Sequence, residues 1–314
     1  MSLDHLAGLR GVKRLLPRLS AMGSGVHAVL LYGSAGCGKS TVADVLAKAW
    51  LCREPTPEGA CGACRPCEAF GRGTSADFQR IEPQGPSRII RLASIVPNTE
   101  EGSSIPVQSF FRTPPLMARH RVVVIEDADR MNAPAANALL KTLEEPHAHA
   151  RLILTTSAIG AILPTILSRC VAVACELPDD EGFRAAFGDL TEAERVLSEG
   201  VPGALLEARE DPATAEGLLQ LAKELETAPP GAALLLSERL RSLCEAIQDR
   251  KKIGPRLANA EGLERFGACV RTLHPRRPGW ARAIAEAHRR ILGNGHAGLV
   301  FDALFADTAG NARP

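Results

Sequence analysis

Residues Gly33-Ser34-Ala35-Gly36-Cys37-Gly38-Lys39-Ser40 form a complete phosphate-binding loop, with Thr41 directly behind it and the apolar run Val26 to Tyr32 directly in front. No other string constrains the fold as strongly, because this one works only where a buried strand ends and a helix begins. Its glycines let successive backbone N–H groups turn inward around a phosphate chain, Lys39 reaches the β/γ oxygens, and the Ser40 hydroxyl can ligate a magnesium ion. Ser40 also opens a predicted helix, Thr41 to Trp50, whose positive dipole end faces the same anion. A plain glycine turn is the competing reading, and the strand-loop-helix context decides against it.

A chain of 314 residues, 45% hydrophobic and 23% charged, has an ordinary globular composition with room for two or three domains. The formal net charge of +1 gives no global electrostatic reason to bind nucleic acid or a membrane surface, so any DNA contact must be local or shared with partners. Asp4, His5, Arg10, Lys13 and Arg14 break up the N-terminus, and no apolar stretch approaches membrane-spanning length. We therefore expect no signal peptide, no transmembrane helix, no membrane partner and a cytoplasmic protein. In that compartment nine cysteines are expected to be core thiols or metal ligands rather than disulfides.

Through the first half, β-rich runs alternate with helical patterns, which is the signature of a parallel sheet covered by helices. Val26–Tyr32, Phe78–Ile81, Val122–Ile125, Leu152–Thr156 and Val171–Ala174 read as buried strands. Asn132 caps a predicted helix through Leu143, which Pro146 ends. After Cys175 the strand signals vanish. Thr191 and Glu194 form a capping box for a short helix that stops at Gly200, and Asp211-Pro212 opens another that Pro229-Pro230 ends. Leu234 to Ile247, Leu263 to Leu273 and Trp280 to Ile291 carry helical periodicity, so the C-terminal region reads as a separate helical domain.

Cys52, Cys61, Cys64 and Cys67 follow the first helix with spacing C-x8-C-x2-C-x2-C. Two-residue spacers let neighbouring thiolates converge on one tetrahedral ion, and four such ligands close its coordination sphere, which implies a structural zinc rather than a catalytic one. A redox pair would need only two of them. Cys37, Cys170, Cys175, Cys244 and Cys269 read as small apolar packing.

Beyond these motifs the chain resembles bacterial clamp-loader subunits of the AAA+ family, most closely the delta-prime type of the DNA polymerase III clamp loader. The resemblance runs from about His27 to the C-terminal helices. It rests on His27-Ala28 before the phosphate loop, the cysteine module after the first helix, Asp77-Phe78, the string Asn137-Ala138-Leu139-Leu140-Lys141-Thr142-Leu143-Glu144-Glu145-Pro146, the string Thr165-Ile166-Leu167-Ser168-Arg169-Cys170, and Asn294 with Leu299 to Leu304. It implies an α/β P-loop AAA+ nucleotide-binding domain over residues 1–177, with a zinc module at about 52–67. A helical lid would follow over 178–226 and a helical collar, the oligomerisation domain, over 227–314. Such subunits use ATP in a pentameric ring that opens a sliding clamp and places it on primed DNA, so motor and delta-like subunits, the clamp and the DNA are the implied partners. The resemblance also assigns Arg169 as an arginine finger reaching ATP on a neighbouring subunit. ATP or ADP with Mg2+ would contact Gly33, Gly36, Cys37, Gly38, Lys39, Ser40 and Thr41, with Thr155 and Thr156 beside the γ-phosphate.

The chain departs from a fully active ATPase at two places. Where an Asp for the metal and then a Glu to polarise water are expected, it has Glu126-Asp127, an altered pair whose lengths are reversed. The segment Glu199-Gly200-Val201-Pro202-Gly203-Ala204 resembles the lid segment that normally offers an arginine, yet no arginine occurs there before Arg209. Both departures point to a subunit that binds nucleotide with little or no hydrolysis of its own. The alternatives are a catalytically active gamma/tau-like motor and, with less support, a small-molecule P-loop kinase. Arg91 to Ser104 reads as an insertion, and Pro106, Pro114 and Pro115 interrupt the helix expected before Arg121.

Overall fold

The computed structural model describes residues 25–56, 59–85, 87–97, 105–229 and 231–309, together with Val12, Leu15 and residues 17–19. Asp4, His5, Arg10, Lys13 and Arg14 lie outside the described residues, as do residues 98–104 of the insertion. The chain divides into two compact units, Met1–Ala186 and Phe187–Pro314.

The first unit is built on five parallel strands, β1 (Ala28–Tyr32), β2 (Phe78–Ile81), β3 (Arg121–Ile125), β4 (Ala150–Thr156) and β5 (Val171–Ala174), in the order β2-β3-β4-β1-β5. Helices α1 (Lys39–Leu51), α2 (Arg65–Gly71), α3 (Val107–Arg112), α4 (Ala133–Glu144), α5 (Pro164–Leu167) and α6 (Asp180–Phe187) connect or follow them. Strands buried on both faces read as near-continuous apolar runs rather than alternating, as AVLLY of β1 and the VVVI that follows Arg121 in β3 show. Alternation decides only which face each residue covers. Val29 and Leu31 of β1 pack with Val42, Leu46 and Trp50 of α1, whereas Ala28 and Leu30 join Leu139 and Leu143 of α4 and Phe110 and Phe111 of α3 on the other side. Each fully buried aliphatic side chain there contributes about 1.5–3 kcal/mol. Because β1 lies between β4 and β5, its C-terminal end opens at the point where the strand order switches, where open α/β sheets place their ligands.

Asn132 caps α4 by accepting from the Ala135 N–H at 3.0 Å. The helix interrupted by prolines is reduced to the six residues of α3, with Pro106 as its N-cap and Pro114 just beyond its end. Of the insertion, Leu92–Ser94 forms a single tight turn and Ile95 is buried.

The second unit is helical: α7 (Glu192–Ser198), α8 (Pro202–Glu210), α9 (Pro212–Thr227), α10 (Ala233–Lys251), α11 (Pro255–Leu273), α12 (Pro278–Leu292) and α13 (Ala297–Ala309). The capping box at Thr191 and Glu194 is present in both directions, at 3.2 and 2.9 Å, and Asp211 accepts from the Thr214 N–H at 3.1 Å in front of Pro212. One continuous apolar core joins Leu197, Leu218, Leu240, Phe266 and Phe305. Among the described residues, no helix is long and apolar enough to cross a membrane.

Candidate functional site

The phosphate-binding loop follows β1 directly. Gly33 is required by close approach, since a Cβ there would lie 2.3 Å from the Cys175 carbonyl oxygen. Gly38, with φ at +99°, makes the left-handed turn that starts α1, and no side chain caps that helix. The N–H groups of its first turn therefore face the loop, as an anion site needs. Lys39 is 7% exposed, and its ammonium donates to the carbonyls of Gly33 at 2.9 Å and Ser34 at 2.8 Å and to Ser157 Oγ at 3.0 Å. Gly36, Cys37, Ser40 and Thr41 complete the loop and the first turn of α1.

The carboxylates stand at the ends of the neighbouring strands. Glu126, just past β3, has both oxygens engaged: Oε2 accepts from Ser40 Oγ at 3.0 Å and Thr155 Oγ1 at 2.8 Å, and Oε1 accepts from Arg80 Nη1 at 2.6 Å. The same guanidinium also pairs with Asp44 of α1. Burial pushes the Asp44 carboxyl above its ordinary range even though Arg80 lies beside it. Asp127 has left-handed backbone, with φ at 47°, and its N–H donates to Thr155 Oγ1 at 3.1 Å while its carboxylate lies 3.5 Å from Arg88 Nη2. Thr155 is fully buried and its hydroxyl bridges the two acidic residues; Thr156 instead donates to Asp129 Oδ1 at 2.6 Å. The sequence reading did not anticipate Arg80, Arg88, Asp44 or Ser157. An arginine inside a short strand carries no local signal that it reaches two carboxylates, because those lie 36 and 46 positions away in the chain.

A second constellation lies where α1 ends. Cys52 is the C-cap of α1, Cys64 is the N-cap of α2 and Cys67 lies within α2, and with Cys61 their sulfurs all fall within 4.8 Å of one another. Four sulfurs around one zinc at about 2.3 Å would be separated by about 3.8 Å. The Cys52 and Cys64 sulfurs are 3.9 Å apart, so the residues fit such an ion. The N–H groups of Ala63 and Cys64 lower the Cys61 thiol to about 7, whereas burial raises Cys52 and Cys67. Elsewhere burial pushes Cys170, Cys175, Cys244 and Cys269 up to about 12, which keeps them neutral as packed apolar groups.

Arg169 lies in the turn after α5, one third exposed at 34%, with Nη2 2.8 Å from Glu144 Oε1 and Nη1 donating to the Thr165 carbonyl at 2.9 Å. Glu144 is 48% exposed. A pair this open to water is worth little, so the guanidinium can turn outward at small cost. In the helical unit Glu199 has left-handed backbone and pairs with Arg271 at 2.8 Å, and Arg209 of α8 is held by Glu194 at 3.0 Å and the Phe187 carbonyl at 2.8 Å.

A family model described as DNA polymerase III, delta subunit, matches residues 10–178. The chain is 38% identical over 164 residues to DNA polymerase III subunit delta' of Pseudomonas aeruginosa, covering 52% of this chain and 47% of that one. It is 28% identical over 234 residues to DNA polymerase III subunit tau of Salmonella typhimurium, covering 71% of this chain and 34% of that one. The chain thus spans less than half the length of either relative. Among solved structures, a DNA polymerase III, gamma subunit-related protein from Thermotoga maritima aligns over 98% of this chain and all of that one, with a TM-score of 0.53 and 19% identity, a likeness of fold alone.

Proposed function

The chain belongs to the DNA polymerase III delta subunit family, in the delta-prime type of clamp-loader subunit, and on that premise we propose that it binds ATP or ADP with little hydrolysis of its own and donates Arg169 to a neighbouring ATPase subunit. In this role it helps a pentameric ring of motor and delta-like subunits load a sliding clamp on primed DNA. The four thiols hold a structural zinc. Residues 1–177 form the AAA+ domain, residues 178–226 the lid and residues 227–314 the collar that joins the subunits.

One observation carries this reading. The phosphate-binding loop is complete, yet Glu126, where the residue for the metal is expected, is held at 2.6 Å by Arg80 of the same chain in a largely buried pair, and the position of the base carries only the shorter Asp127, whose pair with Arg88 is open to water. The loop supplies phosphate affinity through Lys39 and the N–H groups of α1, while a base one methylene short stands farther from the water it would activate. Identity to tau supports the alternative, an active gamma/tau-like motor. Steady-state turnover separates the two.

We expect the purified chain to bind a fluorescent ADP analogue and Lys39→Ala to weaken that binding at least about tenfold, as loss of a charged donor to phosphate implies. ATP turnover by the isolated chain should stay at background and be unchanged in Asp127→Asn. Robust hydrolysis abolished by Lys39→Ala would establish the motor reading instead.

A further inference from the structure

Arg80 stands on a strand of only four residues, in register with Val124 of β3, which brings its guanidinium to the end of β3 beside Glu126. Its side chain is 26% exposed and that of Glu126 only 12%. One guanidinium edge holds Glu126 Oε1 at 2.6 Å, and another nitrogen holds Asp44, one helical turn beyond Ser40 on α1. The remaining oxygen of Glu126 accepts from two hydroxyls, Ser40 and Thr155.

Ser40 and Glu126 are the two groups that a magnesium ion accompanying the nucleotide would need, and they do not fit one. Magnesium demands near-ideal octahedral oxygen ligation and sheds water reluctantly. Glu126 Oε2 lies beside Ser40, but its other oxygen already carries the always-charged Arg80, so a divalent ion there would have to displace two hydroxyls and share one carboxylate with a second cation. One positive charge at this carboxylate is already supplied by the chain itself, from a guanidinium that also serves Asp44.

We propose that Arg80 takes the charge-balancing place of the magnesium ion at Glu126, so that this loop binds a nucleoside diphosphate or triphosphate without needing a divalent metal. The inference rests on the nucleotide-binding reading and deepens it. Lys39 and the α1 N-terminus remain the groups that meet the phosphates.

The test compares the affinity of the full chain for a fluorescent ADP analogue in magnesium-free buffer, treated with chelating resin before protein is added so that the cysteine cluster is left alone, and in excess magnesium. The unmutated chain is expected to change by less than about threefold between the two buffers. Arg80→Gln, which frees Glu126, is expected to gain about tenfold or more from magnesium, the scale of one charge-assisted bond. Binding by the unmutated chain that needs magnesium overturns the inference and leaves the nucleotide reading standing. Arg80→Gln binding with no greater magnesium dependence removes Arg80 as the cause. Failure to bind in either buffer overturns the inference together with the nucleotide reading. The comparison on the unmutated chain decides the metal requirement even where the variant is unstable.

Discussion

His120 precedes β3 in a cluster of cations. Burial, then Arg151, Arg119 and His149, lower its imidazole to about 4. The sign follows from linkage: an ordinary histidine titrates near 6.5, so between pH 6.5 and 4 the unfolded chain binds a proton that the folded chain refuses. The stability this neutral imidazole confers is complete above about pH 6.5 and declines as the pH falls towards 4. We expect denaturant midpoints of the unmutated chain to drop from pH 7 to pH 5 more steeply than those of His120→Gln; parallel pH slopes would show that His120 is not held neutral. Single residues differ in how much of this the sequence discloses. Lys39, Ser40 and Gly33 are legible because the motif fixes their spacing, though what excludes a side chain at Gly33 is the Cys175 carbonyl, which only the fold brings near. Asp77 is legible as part of a string but not in its role: the fully buried carboxylate accepts from the N–H groups of Leu116, Met117 and Ala118 at 2.7–2.9 Å and so ties down the proline-rich segment. Arg80 has no local signature, since its meaning lies in partners that only the fold brings near.

At the scale of elements, buried parallel strands announce themselves as apolar runs, and caps such as Asn132, Thr191 and Asp211 mark helix starts through a side chain that must accept a backbone N–H. Short helices are another matter. α2 has seven residues, no side-chain cap and few buried side chains, well below the length at which a helix is stable alone. Nothing in its periodicity predicts it. Two of its neighbours in space, the C-cap of α1 and its own N-cap, are cysteines, and we take an ion shared by the four thiols to be what fixes it. Elemental analysis of protein purified without chelators should find one zinc per chain. Cys64→Ser should lose that zinc and expose the 52–71 segment to proteolysis while leaving nucleotide affinity within about twofold, because the phosphate loop lies at the opposite end of α1. Protein free of zinc with an intact, protease-resistant module would exclude the ion as its source of order.

At the scale of the whole molecule, the presence of an α/β unit and a helical unit is legible from the loss of strand signals after Cys175, and the chain passes from one to the other between residues 186 and 187. What no single chain displays is the use we propose for Arg169 on another subunit. Arg169 is held by Glu144 in a pair open to water, and it lies on neither the phosphate loop nor the carboxylate cluster of its own chain. Its replacement should therefore cost this chain little stability, within about 1 kcal/mol for an exposed pair, and leave its own nucleotide affinity unchanged. A permanently charged planar group presented to a transferring phosphoryl is worth about 10³ to 10⁵ in rate at the site it serves. Where other motor sites in the ring keep their own fingers, the bulk loss is smaller than that figure. In a complex reconstituted with motor and delta-like subunits, Arg169→Ala should assemble normally yet reduce DNA-stimulated ATP hydrolysis and clamp loading. Arg169→Lys should not restore them, because an ammonium keeps the charge but not the planar, two-pronged donor geometry. A complex carrying Arg169→Ala that assembles and loads clamps at the unmutated rate would leave Arg169 with its bond to Glu144 and no role in a neighbour's chemistry.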